Sequence, residues 1–366
     1  MIKVAINGFG RVGRTAFKVW FDRHRDEMEV VAVNDLVDAK TLSHLLKFDS
    51  NYGVWGKNVK GENLVEDIKT AEEGKSVGKI IVEDLEVPTF ATRDPSKLPW
   101  SELMVDVVIE STGIFTDETG MKKHTEAGAK KVVLSAPAKP SSAKASEGQG
   151  GGNVPTFLLG VNEDQYKGET LINNASCTTN CIAPVAQIMT EKFGVKKAMM
   201  TTIHAYTADQ TLQDGPHRDL RRARAAATNI VPTSTGAAIA TAEVIPQLKG
   251  LFDGVAIRVP VSVGSLSDFT FLLEKEVTVD EVNKALTEAS FLPRYKGILV
   301  VTEDPIVSSD IVGRPESSIV DLSLTQVVGG DMVKVFAWYD NEYGYSNRLI
   351  EQVIQVGNHK PRITYR

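Results

Sequence analysis

Along the first half of the chain, short apolar runs alternate with stretches of helical period. Ile2–Ile6, Val30–Val33, Val105–Ile109 and Val132–Leu134 read as buried strands. Between the first two, Val12, Ala16, Val19 and Trp20 recur at the spacing of one helix face. Near-continuous apolar strands separated by helices predict a parallel sheet flanked by helices. The second half is patterned differently. Met199–Ile203, Val255–Val259, Phe269–Leu273, Leu299–Val301, Ile319–Leu322 and Val333–Trp338 read as strands, several with period two, and few helices separate them. Those helices are expected at Thr233–Leu248, after the capping-box pattern Thr278-Val279-Asp280-Glu281, and at Tyr343–Gln355. The expectation is an α/β first domain and an α+β second one, with a mostly antiparallel sheet carrying helices on one face. The change of pattern falls near Ser176, so a domain junction is expected there.

Composition narrows the class without changing this picture. A chain of 366 residues, 42% hydrophobic and 24% charged, fits two soluble globular domains. A net charge of −6 gives no general reason to bind nucleic acid or an anionic membrane. The first residues lack the pattern of a signal peptide, and no apolar run reaches the ~18 residues of a membrane span. Cys177 and Cys181 are too few for a disulfide framework and lack the spacing of a zinc site, so a reducing, cytoplasmic setting without bound metal is expected. The Ser-, Gly- and Lys-rich stretch Ala138–Asn153 should form a flexible surface loop.

Gly8-Phe9-Gly10-Arg11-Val12-Gly13 is a G-x-G-x-x-G placed after a predicted strand and before a predicted helix. Its first glycine allows a tight turn, its second lets the backbone approach a pyrophosphate, and its third permits close helix–strand packing. Asp35, about 20 residues further on, suits the ribose hydroxyls and repels a 2′-phosphate, which favours NAD over NADP. The other reading of Asp35 is a cap for a helix starting near Val37. Ser111-Thr112-Gly113 and Ser135-Ala136-Pro137 follow further strands at the end where a cofactor should lie.

The segment Ser176-Cys177-Thr178-Thr179-Asn180-Cys181 joins a strand-like run to a helix-like stretch beginning near Thr178. A thiol in a helix's first turn faces unpaired N–H groups and the positive end of the dipole, so a favoured thiolate is expected at Cys177. Cys181, one turn on, reads as a packing residue, and Pro184 should kink the helix or leave the Asn180 carbonyl to another partner. His204, at the end of a strand, is the candidate base. Tyr206, Thr207 and Asp209, followed by Arg218, Arg221, Arg222 and Arg224, make a loop suited to phosphate. Thr233-Ser234-Thr235-Gly236, ahead of a helix, supplies a second anion-binding cluster. Arg258, in an apolar strand, calls for a buried anionic partner.

INGFGRVGR, VNDL, STGIF, SCTTNC, DLRRARAAA, TSTGAA and WYDNEYGYSNR stand in the order of the phosphorylating glyceraldehyde-3-phosphate dehydrogenases, which the chain resembles over nearly its whole length. The resemblance implies a Rossmann-type NAD-binding domain at residues 1–176, completed by a helix at 341–366, and a catalytic domain at 177–340. It implies a homotetramer that oxidises and phosphorylates D-glyceraldehyde 3-phosphate to 1,3-bisphosphoglycerate, a step of glycolysis and gluconeogenesis, through a hemithioacetal and a thioester on cysteine. Cys177 then matches the nucleophile and His204 the base. Gly8, Gly10, Arg11, Val12, Asp35, Arg93, Thr112 and Ser135 match the cofactor site, joined by Gly13 of the glycine pattern. Asn341 matches the residue that holds the nicotinamide carboxamide, with Tyr345 beside the ring. Thr207, Asp209 and Arg258 match the surroundings of the substrate's phosphate. Ser176, Thr178, Thr235 and Gly236 match those of inorganic phosphate, with Arg222 near both. Leu36 and Pro216 resemble the NAD-preferring pattern. Val259–Ser265 departs from the family's usual continuation, a change expected to affect subunit contacts. The alternatives are an erythrose-4-phosphate dehydrogenase, against which Thr235-Gly236 argues, and a non-catalytic NAD- or RNA-binding protein, which would need neither Cys177 nor His204.

Overall fold

A computed structural model of the chain describes residues 1–140 and 154–359. Of the stretch expected as a loop, 141–153 therefore lie outside the described residues. The chain divides into two compact units: 1–156, 165–174 and 349–366 form the first, and 157–164 and 175–348 the second.

The first unit opens with β1 (Ile2–Asn7), α1 (Arg11–Arg23), β2 (Met28–Asn34) and α2 (Ala39–Lys47). A small ribbon, β3 (Phe48–Asp49) with β4 (Gly53–Val54), precedes β5 (Val59–Asn63), β6 (Ser76–Val82) and β7 (Leu85–Phe90). Then come β8 (Val107–Glu110), α3 (Glu118–Glu126), β9 (Lys131–Leu134) and β10 (Leu171–Asn173). Its sheet runs β10-β9-β8-β1-β2-β7-β6-β5. The pairs from β10 through β7 are parallel, and β6 and β5 close the edge antiparallel. Strands β1, β8 and β9 are almost wholly buried, which is why they read as continuous apolar runs. Helix α1 buries Ala16, Phe17, Val19 and Trp20 against the sheet, and Phe17 meets both Phe9 and Trp20 edge-on. The helix following β2 starts at Ala39, not Val37, and Asp38 caps it by accepting from the N–H groups of Lys40 and Thr41. Asp35 is thereby released from a capping role.

The second unit begins with α4 (Cys177–Phe193) and β11 (Val195–Ala205), followed by β12 (Val231–Ser234), α5 (Ala237–Val244), β13 (Phe252–Val259) and β14 (Ser265–Leu273). Helix α6 (Val279–Ser290) leads to β15 (Leu299–Thr302), β16 (Ser318–Asp321), β17 (Gln326–Val328) and β18 (Met332–Tyr339). Its sheet order is β12-β13-β11-β14-β18-β16-β15, with β17 also on β18. Most pairs are antiparallel, but β11–β13 and β15–β16 are parallel. Alternation in β14 and β18 turns Phe269, Phe271, Val333, Val335 and Ala337 inward, where they share a core with Ile182, Val185 and Met189 of α4 and with residues of α5 and α6. The capping box at Thr278 and Glu281 forms as expected. Helix α4 continues through Pro184 without interruption.

The expected helix at Thr233–Leu248 starts late. Thr233 and Ser234 lie in β12, paired antiparallel with Ala256 and Val255. Glycine at 236 and the β-branched Val231, Thr233 and Thr235 favour extended backbone up to the helix start at Ala237. The last helix, α7 (Tyr343–Asn358), spans both units. Its end belongs to the first, where Lys131 Nζ donates to the Val356 carbonyl at 3.0 Å.

Candidate active site

In the second unit, Cys177 is the first residue of α4 and Ser176 its cap. The Ser176 hydroxyl accepts from Thr179 N–H (3.1 Å), which removes one of the donors left open at a helix start. Just before it, Ala175 is fully buried with φ of 49°, a left-handed conformation uncommon for a residue with a Cβ. Tyr345 Oη donates to its carbonyl at 3.1 Å. This bend costs on the order of 1 kcal/mol and directs the chain into α4. Sequence reasoning had not singled out Ala175, because an alanine gives no sign of positive φ.

Strand β11 brings His204 to the thiol: Nε2 lies 3.4 Å from Cys177 Sγ. The other ring nitrogen, Nδ1, lies 2.7 Å from the Ala205 carbonyl oxygen. That carbonyl can only accept, so we assign the proton to Nδ1, leaving the Nε2 lone pair facing the sulfur. Arg258 Nη1, 2.9 Å from Nδ1, has better acceptors in Ala205 O and Thr207 Oγ1, both at 3.1 Å. Tyr339, fully buried on β18, stands edge-on to the His204 ring. Its hydroxyl bridges Thr178 Oγ1 (2.9 Å) and Thr202 Oγ1 (2.8 Å), tying the start of α4 to β11. Nothing in the residue types marked Tyr339 except its place two residues before Asn341.

Burial, then the Arg258 charge, pull the His204 imidazole down to about 3. Cys177 is half-buried as a residue, yet loss of solvation is the largest influence on its sulfur and pushes the thiol above its ordinary value. Arg258 and hydrogen bonds at the helix start oppose that shift without overcoming it. Burial thus works against the favoured thiolate expected from the helix start, and it disfavours a charge on the imidazole beside it. Cys181 is fully buried, with its thiol pushed up to about 12 by burial, in keeping with a packing residue.

A chain of polar contacts runs outward from this pair. Arg258 reaches Thr207, Thr207 donates to Asp209, and Arg222 Nη1 meets Asp209 Oδ2 at 2.8 Å. Burial pushes the Asp209 carboxyl up, but Thr207, Arg258 and Arg222 outweigh it and hold it below its ordinary value. Arg222 Nε donates to Thr233 Oγ1 at 2.9 Å. The expected arginine cluster reduces to this one residue, because Arg218, Arg221 and Arg224 are exposed and Arg224 pairs with Asp214. Among the described residues no carboxylate makes a direct ion pair with Arg258, whose charge acts on Asp209 from beyond Thr207, and its buried Nε has no hydrogen-bond acceptor. An anion arriving there would supply one. Thr235 and Gly236 form the start of α5, where Gly236 caps without a side-chain bond and a Cβ would meet nothing within 4 Å.

Asn341 Oδ1 accepts from Gly264 N–H (3.1 Å) and Ser265 Oγ (3.0 Å), which fixes its amide nitrogen as the outward donor. The unusual Val259–Ser265 segment thus contributes to orienting Asn341.

In the first unit, Gly8 takes φ of 94° and its N–H bonds the Asn34 carbonyl. A Cβ on Gly13 would stand 2.1 Å from Gly8 O, whereas one on Gly10 would meet nothing within 4 Å. The turn is therefore closed beneath and open above Gly10, Arg11 and Val12, and no side chain caps α1. Asp35 Oδ2 accepts from Phe9 N–H at 2.7 Å. Thr112 and Ser135 follow β8 and β9, and Arg93 is exposed beyond β7. An open glycine turn at an uncapped helix start, with a carboxylate at the end of the next strand, fits a dinucleotide. Among the described residues, no group of His, Cys, Asp or Glu could hold a metal ion.

Residues 2–118 match the family description "Glyceraldehyde 3-phosphate dehydrogenase, NAD binding domain", and 176–341 match the corresponding C-terminal domain. The chain belongs to the glyceraldehyde 3-phosphate dehydrogenase family. It is 50% identical over 359 residues to the glyceraldehyde-3-phosphate dehydrogenase of Streptomyces coelicolor, covering 98% of this chain and 99% of that one. The enzyme of Mycobacterium tuberculosis is 50% identical, with 97% and 98% covered, and that of Borreliella burgdorferi 48%, with 96% and 98%. As in that family, the first unit carries a Rossmann-type NAD-binding fold and the chain is an NAD-dependent oxidoreductase. No helix among the described residues is long and apolar enough to cross a membrane.

The buried imidazole of His204 has a measurable consequence. As pH falls from the ordinary 6.5 toward about 3, the unfolded chain protonates His204 while the folded chain does not. The stability this group confers is complete above 6.5 and is lost through that window. We expect urea unfolding of His204→Asn to show a shallower loss of stability below pH 6.5 than the unsubstituted protein. Parallel losses would contradict a buried neutral imidazole.

Proposed function

We propose that the chain oxidises D-glyceraldehyde 3-phosphate to an acyl phosphate, 1,3-bisphosphoglycerate, with NAD as oxidant and inorganic phosphate as second substrate. The observation that carries this reading is the thiol of Cys177 facing a neutral imidazole nitrogen at 3.4 Å, at the head of a chain of anion-binding groups. The sulfur adds to the aldehyde carbon while its proton passes to His204 Nε2 and on to the carbonyl oxygen, giving a hemithioacetal. His204, neutral again, removes the hydroxyl proton as hydride leaves carbon, and Cys177 holds the resulting thioester. Bound NAD supplies the acceptor for that hydride. A phosphate oxygen then attacks the thioester carbon, and the sulfur leaves with the proton held on His204. A low imidazole pKa suits a base that must be neutral at the start of each cycle.

We assign the following roles. Arg258, with its unpartnered Nε, together with Thr207, Asp209 and Arg222, receives the phosphate already on the substrate. Ser176, Thr178, Thr235 and Gly236 serve the attacking phosphate, supported by the open start of α5. Gly8, Gly10, Arg11, Val12, Gly13, Asp35, Arg93, Thr112 and Ser135 hold NAD from the first unit. Asn341 orients the nicotinamide amide, with Tyr345 beside the ring. Residues 1–176 with 341–366 act as the NAD-binding domain and 177–340 as the catalytic one.

We further propose a cytoplasmic homotetramer. Its support is the outer face of the second unit's sheet, which carries Met199, 62% exposed, and Val255, 48% exposed, with no element of the described chain covering them. Light scattering should return about four times the 39.8 kDa chain mass. A monomer mass would overturn this.

The reaction itself is tested at 340 nm with glyceraldehyde 3-phosphate and NAD. Sustained NADH formation should require phosphate, be nearly abolished by Cys177→Ser, and survive Cys181→Ser. Phosphate-independent turnover would point to a hydrolytic enzyme such as an erythrose-4-phosphate dehydrogenase. Equal loss in both serine variants would remove Cys177 from its role.

A further inference from the structure

Beneath the cofactor-facing edge of the first unit's sheet, Glu110 at the end of β8 and His124 on α3 are both fully buried and 2.9 Å apart. Isolated burial of a carboxylate is expensive, so its full set of partners matters. Glu110 Oε2 accepts from Asn7 Nδ2 (2.6 Å) and His124 Nε2 (2.9 Å). Oε1 accepts from Thr112 N–H (2.9 Å) and from the Thr112 hydroxyl.

The direction of these bonds is set from outside. Trp100 Nε1 can only donate, and it points at His124 Nδ1 from 3.0 Å. Nδ1 must therefore present its lone pair, which leaves the imidazole proton on Nε2, aimed at Glu110. On the other side, the Thr92 backbone N–H donates to Asn34 Oδ1 (2.9 Å), and Asn34 Nδ2 donates to Asn7 Oδ1 (2.7 Å). That fixes Asn7 with its amide nitrogen toward Glu110. Two one-way chains of donors converge on one residue, and only a carboxylate accepts at both oxygens. A glutamine at 110 would turn an N–H into either Asn7 and His124 or the Thr112 backbone N–H.

The network ends on groups of the NAD cradle. Asn7 and Asn34 precede Gly8 and Asp35, Thr92 precedes Arg93, and Thr112 is bonded directly. We infer that Glu110, oriented by His124 and Trp100, is a positioning residue that sets the loops after β1, β2, β7 and β8 for NAD. This rests on the reading of Gly10, Asp35 and Thr112 as cofactor-facing.

The test is NAD binding to the full-length apoprotein by titration calorimetry, with thermal midpoints measured beside it. Glu110→Gln should weaken NAD at least about 10-fold, the scale of one buried donor left unpaired. His124→Leu keeps the volume but loses the donor to Glu110 and should weaken NAD comparably. His124→Gln can accept from Trp100 and donate to Glu110, so it should bind NAD within about twofold of the unsubstituted protein. Alkylation of Cys177 in the absence of NAD should be unchanged in all three. If Glu110→Gln does not fold, the two His124 variants decide. NAD affinity that is unchanged in His124→Leu, or that simply follows the thermal midpoint across the series, overturns the inference. Gly10→Ala serves as control: if it leaves NAD affinity intact, the reading of the cradle itself fails, separately from the role of Glu110.

Discussion

The contact on which the proposed chemistry depends is a sulfur and an imidazole nitrogen 3.4 Å apart, each largely removed from water. Burial disfavours a charge on either residue, raising the thiol and lowering the imidazole. In the proposed reaction the proton moves between them as the substrate develops charge, which ties activation of the nucleophile to the presence of the aldehyde. Keeping the pair aligned occupies much of the second unit. Ala175 bends the chain into α4, β11 carries the ring, the Tyr339 hydroxyl joins the two, and the Ala205 carbonyl fixes the tautomer.

Arg258 connects this pair to anion binding. Its charge lowers both the imidazole and the thiol, and the same guanidinium bonds Thr207 and keeps one buried nitrogen without an acceptor. One residue thus opposes burial at the thiol, adds to it at the imidazole, and in the proposed reaction offers a docking point for a phosphorylated aldehyde. In the first unit Glu110 bonds Asn7 and Thr112 behind a glycine turn whose Gly10 side is open, the arrangement we infer to position the loops for NAD.

Much of this was legible in the residues because period and punctuation carry it. The buried parallel strands, the alternation of β14 and β18, the capping box at Thr278 and the glycine turn all follow from local rules. The antiparallel edge of β5, β6 and β7 is not visible in the pattern, since charged residues such as Glu62, Lys79 and Glu86 interrupt the apolar ones in these short strands. Thr233 and Ser234 were read as helix because β12 is decided by pairing with β13, a long-range contact. Four arginines in seven positions suggested a cluster, but the turn directs only Arg222 inward. The helix start that favours a thiolate at Cys177 is visible in sequence, while the depth of the sulfur that opposes it is not. Cys177 and His204 could each be named in advance; their distance and the positive φ of Ala175 are tertiary facts.

The proposed reaction centres on a thioester at Cys177 that waits for phosphate. Mixing the protein with glyceraldehyde 3-phosphate and NAD in phosphate-free buffer, quenching in acid and measuring intact mass tests it most directly. A single acyl adduct per chain, mapped to Cys177 and discharged when phosphate is added before the quench, is the predicted result. An unmodified chain that has nonetheless produced several equivalents of NADH, or an adduct on another residue, would contradict it.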